Sequence, residues 1–209
     1  MKALLIATTL CVAQLGAAEK GFTPLFNGKD LSGWQGVEGP TTNWVAKDGI
    51  LSCTGKKGSQ WIATKKEFSN FDLRLEYKIP TDGNSGVFIR APKEGNQWVA
   101  GLEIQVLDDY GPKWKNLKPD QFTGAVYAVL APSERATKKA GEWQTMRIRC
   151  SGSKCRVWVN GKQIIKADLS KLAEKTKNIP GLKRTGGFIG LQNHSSPVFY
   201  RNIRVKELK

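Results

Sequence analysis

Apolar and polar residues alternate with a period of two through most of the chain. The stretches WVAKDGILSC (44–53), FDLRLEYKI (71–79), SGVFIRA (85–91), LEIQVLD (102–108) and GAVYAVL (124–130) show it, as do QTMRIRC (144–150), CRVWVNGKQII (155–165), GGFIGLQNH (186–194) and VFYRNIRVKEL (198–208). Gly, Pro, Asn and Asp separate them. Such segments place every second side chain on one face, as half-buried antiparallel strands do. Nine of them, with hardly any helical period, predict an all-β sandwich. The exception is DLSKLAEKTKNIP (168–180), where Asp168 or Ser170 can cap a short helical turn that Pro180 stops.

The alternation also sorts chemistry onto faces. Leu102, Ile104 and Val106 share one face, so Glu103 and Gln105 share the other. Ile189 and Leu191 point inward, which turns Gly190, Gln192 and His194 outward together. Two strands presenting Glu, Gln, Gln and His predict a shared polar concavity. His194 is the only histidine in the chain, and imidazole serves both as a base near neutral pH and as a metal ligand. Glu103 is the second candidate, as base or oxygen ligand. Arg90 shares a face with Gly86 and Phe88, from which it can donate to a bound ligand or pair with Glu103. Asp108 and Asp109 read as turn residues.

Seven tryptophans are many for 209 residues. Trp34, Trp44, Trp143 and Trp158 lie in or beside strand patterns and read as core. Trp98 and Trp114 lie in loop-rich stretches and, with Tyr127, are candidates for a platform on which sugars stack.

The first eighteen residues, MKALLIATTLCVAQLGAA, place one lysine before a short apolar run and end on small residues, the layout of a secretory signal peptide. Cleavage after Ala18 leaves 19–209 as a single domain, expected to be exported and periplasmic or secreted. Leu10 before Cys11 does not fit a lipid-attachment box, and no later segment is apolar enough for a transmembrane helix. In an oxidising compartment Cys150 and Cys155, flanking SGSK between two strands, are expected to form a disulfide, leaving Cys53 as a small buried residue. The net charge of +15 is spread as single lysines and arginines, so it reads first as a solvated surface. Polyanionic glycans or an acidic envelope are the alternative partners, and nucleic acid is not expected.

Taken in order, GFTPLFNGKDLSGW, NSGVFIR, GLEIQVLDD, GAVY, GEWQTMRIRCSGSKCRVWVNGK and GFIGLQNHSSPVFYRNIRVKEL resemble the 3-keto-disaccharide hydrolase domain family, formerly a domain of unknown function. The resemblance runs from Gly21 to Leu208. It implies a concanavalin-like jelly roll of two antiparallel sheets, and an enzyme that cleaves glycosides already oxidised at C3. A C3 ketone acidifies the C2 hydrogen, so a base can expel the C1 substituent by elimination and water then adds to the enone. His194 and Glu103 are then the catalytic candidates, with Arg90, Gln105, Gln192, Tyr127, Trp98 and Trp114 toward a small carbohydrate substrate. The family usually carries an aspartate and a glycine around this histidine, where this chain has Asn193 and Ser195. Whether a divalent metal held by Glu103 and His194 assists stays open; no dinucleotide fingerprint is present, so no nicotinamide is expected. Two other readings share the fold: a non-catalytic carbohydrate-binding module, and a laminarinase-type glycosidase, which Glu103-x-Gln105-x-x-Asp108 weakly resembles.

Overall fold

The computed structural model describes residues 19–56 and 61–209; the proposed signal peptide lies outside the described residues. Two antiparallel sheets face each other across an apolar core. The strands are β1 (Thr23–Pro24), β2 (Trp34–Val37), β3 (Trp44–Lys47), β4 (Ile50–Cys53), β5 (Trp61–Phe68), β6 (Phe71–Lys78), β7 (Asn84–Ala91), β8 (Leu102–Leu107), β9 (Gln144–Ser151), β10 (Lys154–Val159), β11 (Lys162–Asp168), β12 (Gly187–Gln192) and β13 (Val198–Glu207). The larger sheet runs β11-β10-β9-β6-β13-β4-β3, with β1 added on β13, and the smaller runs β2-β5-β12-β7-β8. Leu73, Leu75, Ile148 and Val157 from the first meet Val87, Ile89, Ile104 and Leu191 from the second, all at most 2% exposed. Burying such side chains contributes about 1.5–3 kcal/mol each, which is what holds the sheets together.

Turn chemistry sets the strand ends. The stretch 44–53 is a hairpin of two strands, because Asp48 and Gly49 both take positive φ (50° and 75°), the two-residue loop that suits strand twist. Asn160 and Gly161 (49° and 82°) do the same between β10 and β11. The 124–130 stretch is not a strand. Gly124 and Ala128 have positive φ, and the segment meets β8 through an isolated bridge from Ile104 to Val126 and three backbone bonds, from the Gln105 N–H to the Ala125 carbonyl, from the Gly124 N–H to the Gln105 carbonyl and from the Tyr127 N–H to the Glu103 carbonyl. It thereby covers the outer edge of β8, an edge that would otherwise be free to pair with another chain. Asp168 caps helix α2 (Leu169–Lys175), and a second helical turn, α1 (Gln97–Ala100), precedes β8.

The disulfide expected between Cys150 and Cys155 is not formed. The β9–β10 register sets the two residues directly opposite each other, but both, like Cys53, are buried free thiols. They pack as small apolar residues in the core.

Candidate active site

The outer face of the smaller sheet holds the candidate site, and two glycines shape its floor. A Cβ at Gly86 of β7 would lie 2.3 Å from Glu103 Oε1, and one at Gly190 of β12 would lie 2.2 Å from Trp61 Cε3. Glu103 therefore lies flat across β7, reaching from β8 toward β12, while Trp61 lies across β12 from β5. There the Gln192 Nε2 donates to Glu103 Oε2 over 3.5 Å. The Gln192 Oε1 is buried and has no hydrogen-bond partner among the described residues. Below it, the Ser85 hydroxyl donates to the Gln192 carbonyl at 2.8 Å and lies 2.9 Å from the Tyr200 hydroxyl, linking the site to the opposite sheet.

Above this floor opens a cavity of about 580 Å³, within the range of small-molecule sites. Trp61 and Phe88 form its base, packed edge to face at 5.4 Å. One wall is the segment Gly95–Trp98 leading into α1, the other is Gln192–Ser195 at the end of β12, and Glu38 stands at the rim. Glu103 is 4% exposed and sits one side chain below this lining. Burial pushes its carboxyl up to about 8, against a smaller opposing effect of the Gln192 hydrogen bond. A carboxyl poised near neutral pH in a cleft is the usual preparation of a general acid or base.

His194 lines the cavity from an exposed position. The turn that presents it gives Asn193 a use and Ser195 a cost. The Asn193 Nδ2 donates to the Lys56 carbonyl at 2.8 Å, which a carboxylate cannot do, and its Oδ1 accepts from the Ser195 N–H at 3.1 Å. Ser195 adopts φ 56°, the left-handed conformation that glycine takes without strain.

Of the residues singled out in the sequence, Gln192, His194 and Trp98 line the cavity, with Glu103 beneath them. Tyr127 stands behind Trp98, edge-on at 5.6 Å, and its hydroxyl accepts from Gln121. Three others lie elsewhere. Arg90 is 1% exposed and turns away, because the β7–β12 register shifts beside it and its φ is 50°. Its guanidinium donates to the carbonyls of Ser69, Gly152 and Arg184, not to Glu103. Gln105 is buried under the 124–130 segment, with its Oε1 accepting from the Val106 N–H. Trp114 packs on the turn at Gly111 beneath the Lys113 ammonium. Asp108 accepts from the Asp82 N–H and Asp109 from the Thr123 N–H, so both carboxyls hold turns. The carboxylate set of a laminarinase-type strand is thus not assembled on β8.

The sequence reading missed Trp61, Phe88, Glu38 and the Gly95–Gln97 wall. Gly86 and Gly190 were the available signal, since a glycine within a strand marks a place where something approaches closely. Among the described residues no three His, Cys, Asp or Glu side chains converge to hold a metal ion.

The sequence model of the 3-keto-alpha-glucoside-1,2-lyase-like domain matches residues 21–206. The chain belongs to this family. A 3-keto-disaccharide hydrolase of Bacteroides thetaiotaomicron is 28% identical over 93% of this chain and 81% of its own length. A crystal structure described as a glycosyl hydrolase from Parabacteroides distasonis superimposes with a TM-score of 0.78 at 34% identity, covering 90% of this chain and 99% of that one. The laminarinase catalytic domain of Thermotoga maritima matches at TM-score 0.55 and 13% identity, over 90% and 97% of the two chains, a likeness of fold. The 3-keto-alpha-glucoside-1,2-lyase-like domain described above is thus a jelly-roll enzyme of the glycoside hydrolase type acting on carbohydrate.

Proposed function

We propose that this lyase-like domain cleaves 3-keto-glycosides by elimination followed by hydration, with Glu103 as the base. The observation that carries the reading is the buried Glu103 carboxyl, laid across Gly86 and held near neutral pH beneath a sugar-sized cavity whose other carboxyl, Glu38, stands out at the rim. Elimination needs one base where an ordinary glycosidase needs two opposed carboxyls around the bond. Ionised Glu103 takes the C2 proton, the electrons of that C–H bond form the C1=C2 double bond, and the C1–O bond breaks. The proton reaches the carboxyl past the Gln192 amide or through one water. At the mouth His194 can hydrogen-bond the departing oxygen while water protonates it, and the Gln192 Oε1, which has no partner among the described residues, can accept a sugar hydroxyl. Water then adds across the enone, its hydroxyl to C1 and its proton to C2, and releases the 3-keto sugar. If residues 1–18 act as the signal peptide they resemble, the reaction takes place outside the cytoplasm.

Incubation with a 3-keto-disaccharide, its unoxidised parent, and each in the presence of chelator tests this reading. The expected result is turnover of the oxidised sugar alone, unaffected by chelator, with kcat/KM rising with pH through about 8 as Glu103 ionises. Cleavage of the unoxidised parent at a similar rate contradicts it.

A further inference from the structure

The basic residues are scattered along the sequence, but the fold brings several of them together on the outer face of the larger sheet, on the far side of the molecule from the candidate site. Two rows of like charge run across neighbouring strands. Arg204 of β13 lies opposite Arg74 of β6, which lies opposite Arg147 of β9, and the row ends on Trp158 of β10. One step along the strands, Arg149, Arg156 and Lys166 lie opposite one another on β9, β10 and β11, with Asp72 of β6, whose carboxylate bonds to Arg147, opposite Arg149 on its other side. Like charges directly opposite in a sheet are destabilising. Dispersed lysines would give the same solubility without that repulsion.

The first row is partly neutralised and held in place. Asp72, 4% exposed, accepts three bonds from Arg147 at 2.9, 3.2 and 2.6 Å, and Glu19 pairs with Arg74 and Arg204. The Arg147 guanidinium stacks 4.5 Å over Trp158, and that of Arg74 lies 4.6 Å from the Phe22 ring. A groove of about 310 Å³ opens among Arg74, Arg147, Arg204 and Trp158. Its one carboxylate, Glu76, is already bound by Arg201 at 2.8 Å and Asn202 at 2.6 Å. In the second row, Arg149, Arg156 and Lys166 form no ion pair with any described residue. Arg156 and Lys166 are exposed.

We propose that this face binds an acidic polysaccharide whose sugars carry carboxylates. The cations of the second row repeat at the strand spacing of about 4.8 Å, close to the length of one sugar along an extended chain. Guanidinium forks match carboxylates in a bidentate geometry, which Arg147 already uses toward Asp72. A lipid surface is a poorer fit, since the exposed large apolar side chains among the described residues are Val45 and Tyr110 and the aromatic rings here lie under cations. The face is a holding surface, so a glycoside processed at the opposite cavity need not be the chain that is held.

The test is a binding titration of the whole protein with polygalacturonate at about 0.15 M salt, where long-range attraction is screened. Neutral dextran, dextran sulfate, single-stranded DNA and anionic phospholipid vesicles are the comparison probes. The expected result is saturable binding to polygalacturonate and none to dextran. The double variant Arg149→Gln/Arg156→Gln weakens it by about tenfold or more, with an unchanged melting temperature and unchanged cleavage at the distant cavity. No binding to polygalacturonate overturns the proposal. So does equal or tighter binding to DNA, vesicles or dextran sulfate, and so does full affinity in the folded double variant. Arg156→Glu alone is the second variant, and if it too leaves the affinity intact the row takes no part.

Discussion

At the scale of the residue, the site depends on what is missing as much as on what is present. Gly86 and Gly190 leave room for the Glu103 carboxyl and the Trp61 ring to lie flat, and no other residue type would. Asn193 stands where the family's aspartate usually stands, and its amide is used in the turn on both sides, as donor and as acceptor. Ser195 carries the cost of that turn with its φ of 56°. Ser195→Gly is therefore expected to raise stability by about 0.5–1 kcal/mol, read as a higher denaturant midpoint with the cleavage rate kept. The face assignments of Glu103, Gln192 and His194 were legible from alternation alone. Glu38, Trp61 and Phe88 were not, because what unites them is the spatial order of strands, and β5 hides its alternation behind the exposed run Lys65, Lys66 and Glu67.

At the scale of the element, β7 shows where a two-residue period ceases to inform. Strict alternation puts Arg90 on the face of Phe88, but the register shift against β12 carries it to the other end of the strand. There its guanidinium fastens three loops by their carbonyls, at Ser69, Gly152 and Arg184. Removing a buried charged donor strands those acceptors, so Arg90→Met is expected to cost about 3 kcal/mol. The denaturant midpoint should fall while the molecules that remain folded keep their turnover, because Arg90 does not face the cavity. A loss of kcat without a loss of stability would return Arg90 to the site. The 124–130 stretch misled in a similar way. Its alternation is that of a segment lying along an edge strand, and Gly124 and Ala128 prevent it from joining the ladder.

At the scale of the whole molecule, the sandwich was readable because alternation and turn residues recur throughout, and the ordered motifs added the family. The arrangement of charge was not readable, since single arginines far apart in sequence become a row only when β13, β6 and β9 lie side by side. Stability should carry the mark of the site. Glu103 titrates near 4.5 in an ordinary setting and near 8 when folded, so the folded protein holds the proton across that interval. Its contribution is complete below pH about 4.5 and is lost as pH rises through about 8. The loss is on the order of 5 kcal/mol, at about 1.36 kcal/mol per pH unit. Glu103→Gln should abolish this part of the pH dependence, leaving a melting temperature at pH 9 on the order of 10 °C above that of the wild type, with the difference gone at pH 4.

The central claim is that a base at Glu103 removes the C2 proton and that water later restores one. Cleavage of a 3-keto-disaccharide in deuterium oxide, followed by NMR of the freshly released 3-keto sugar, tests it most directly. The account predicts one deuterium at C2 of each product molecule, and no release by Glu103→Gln. Release of product with hydrogen retained at C2 would mean that water attacks C1 directly, and would contradict it.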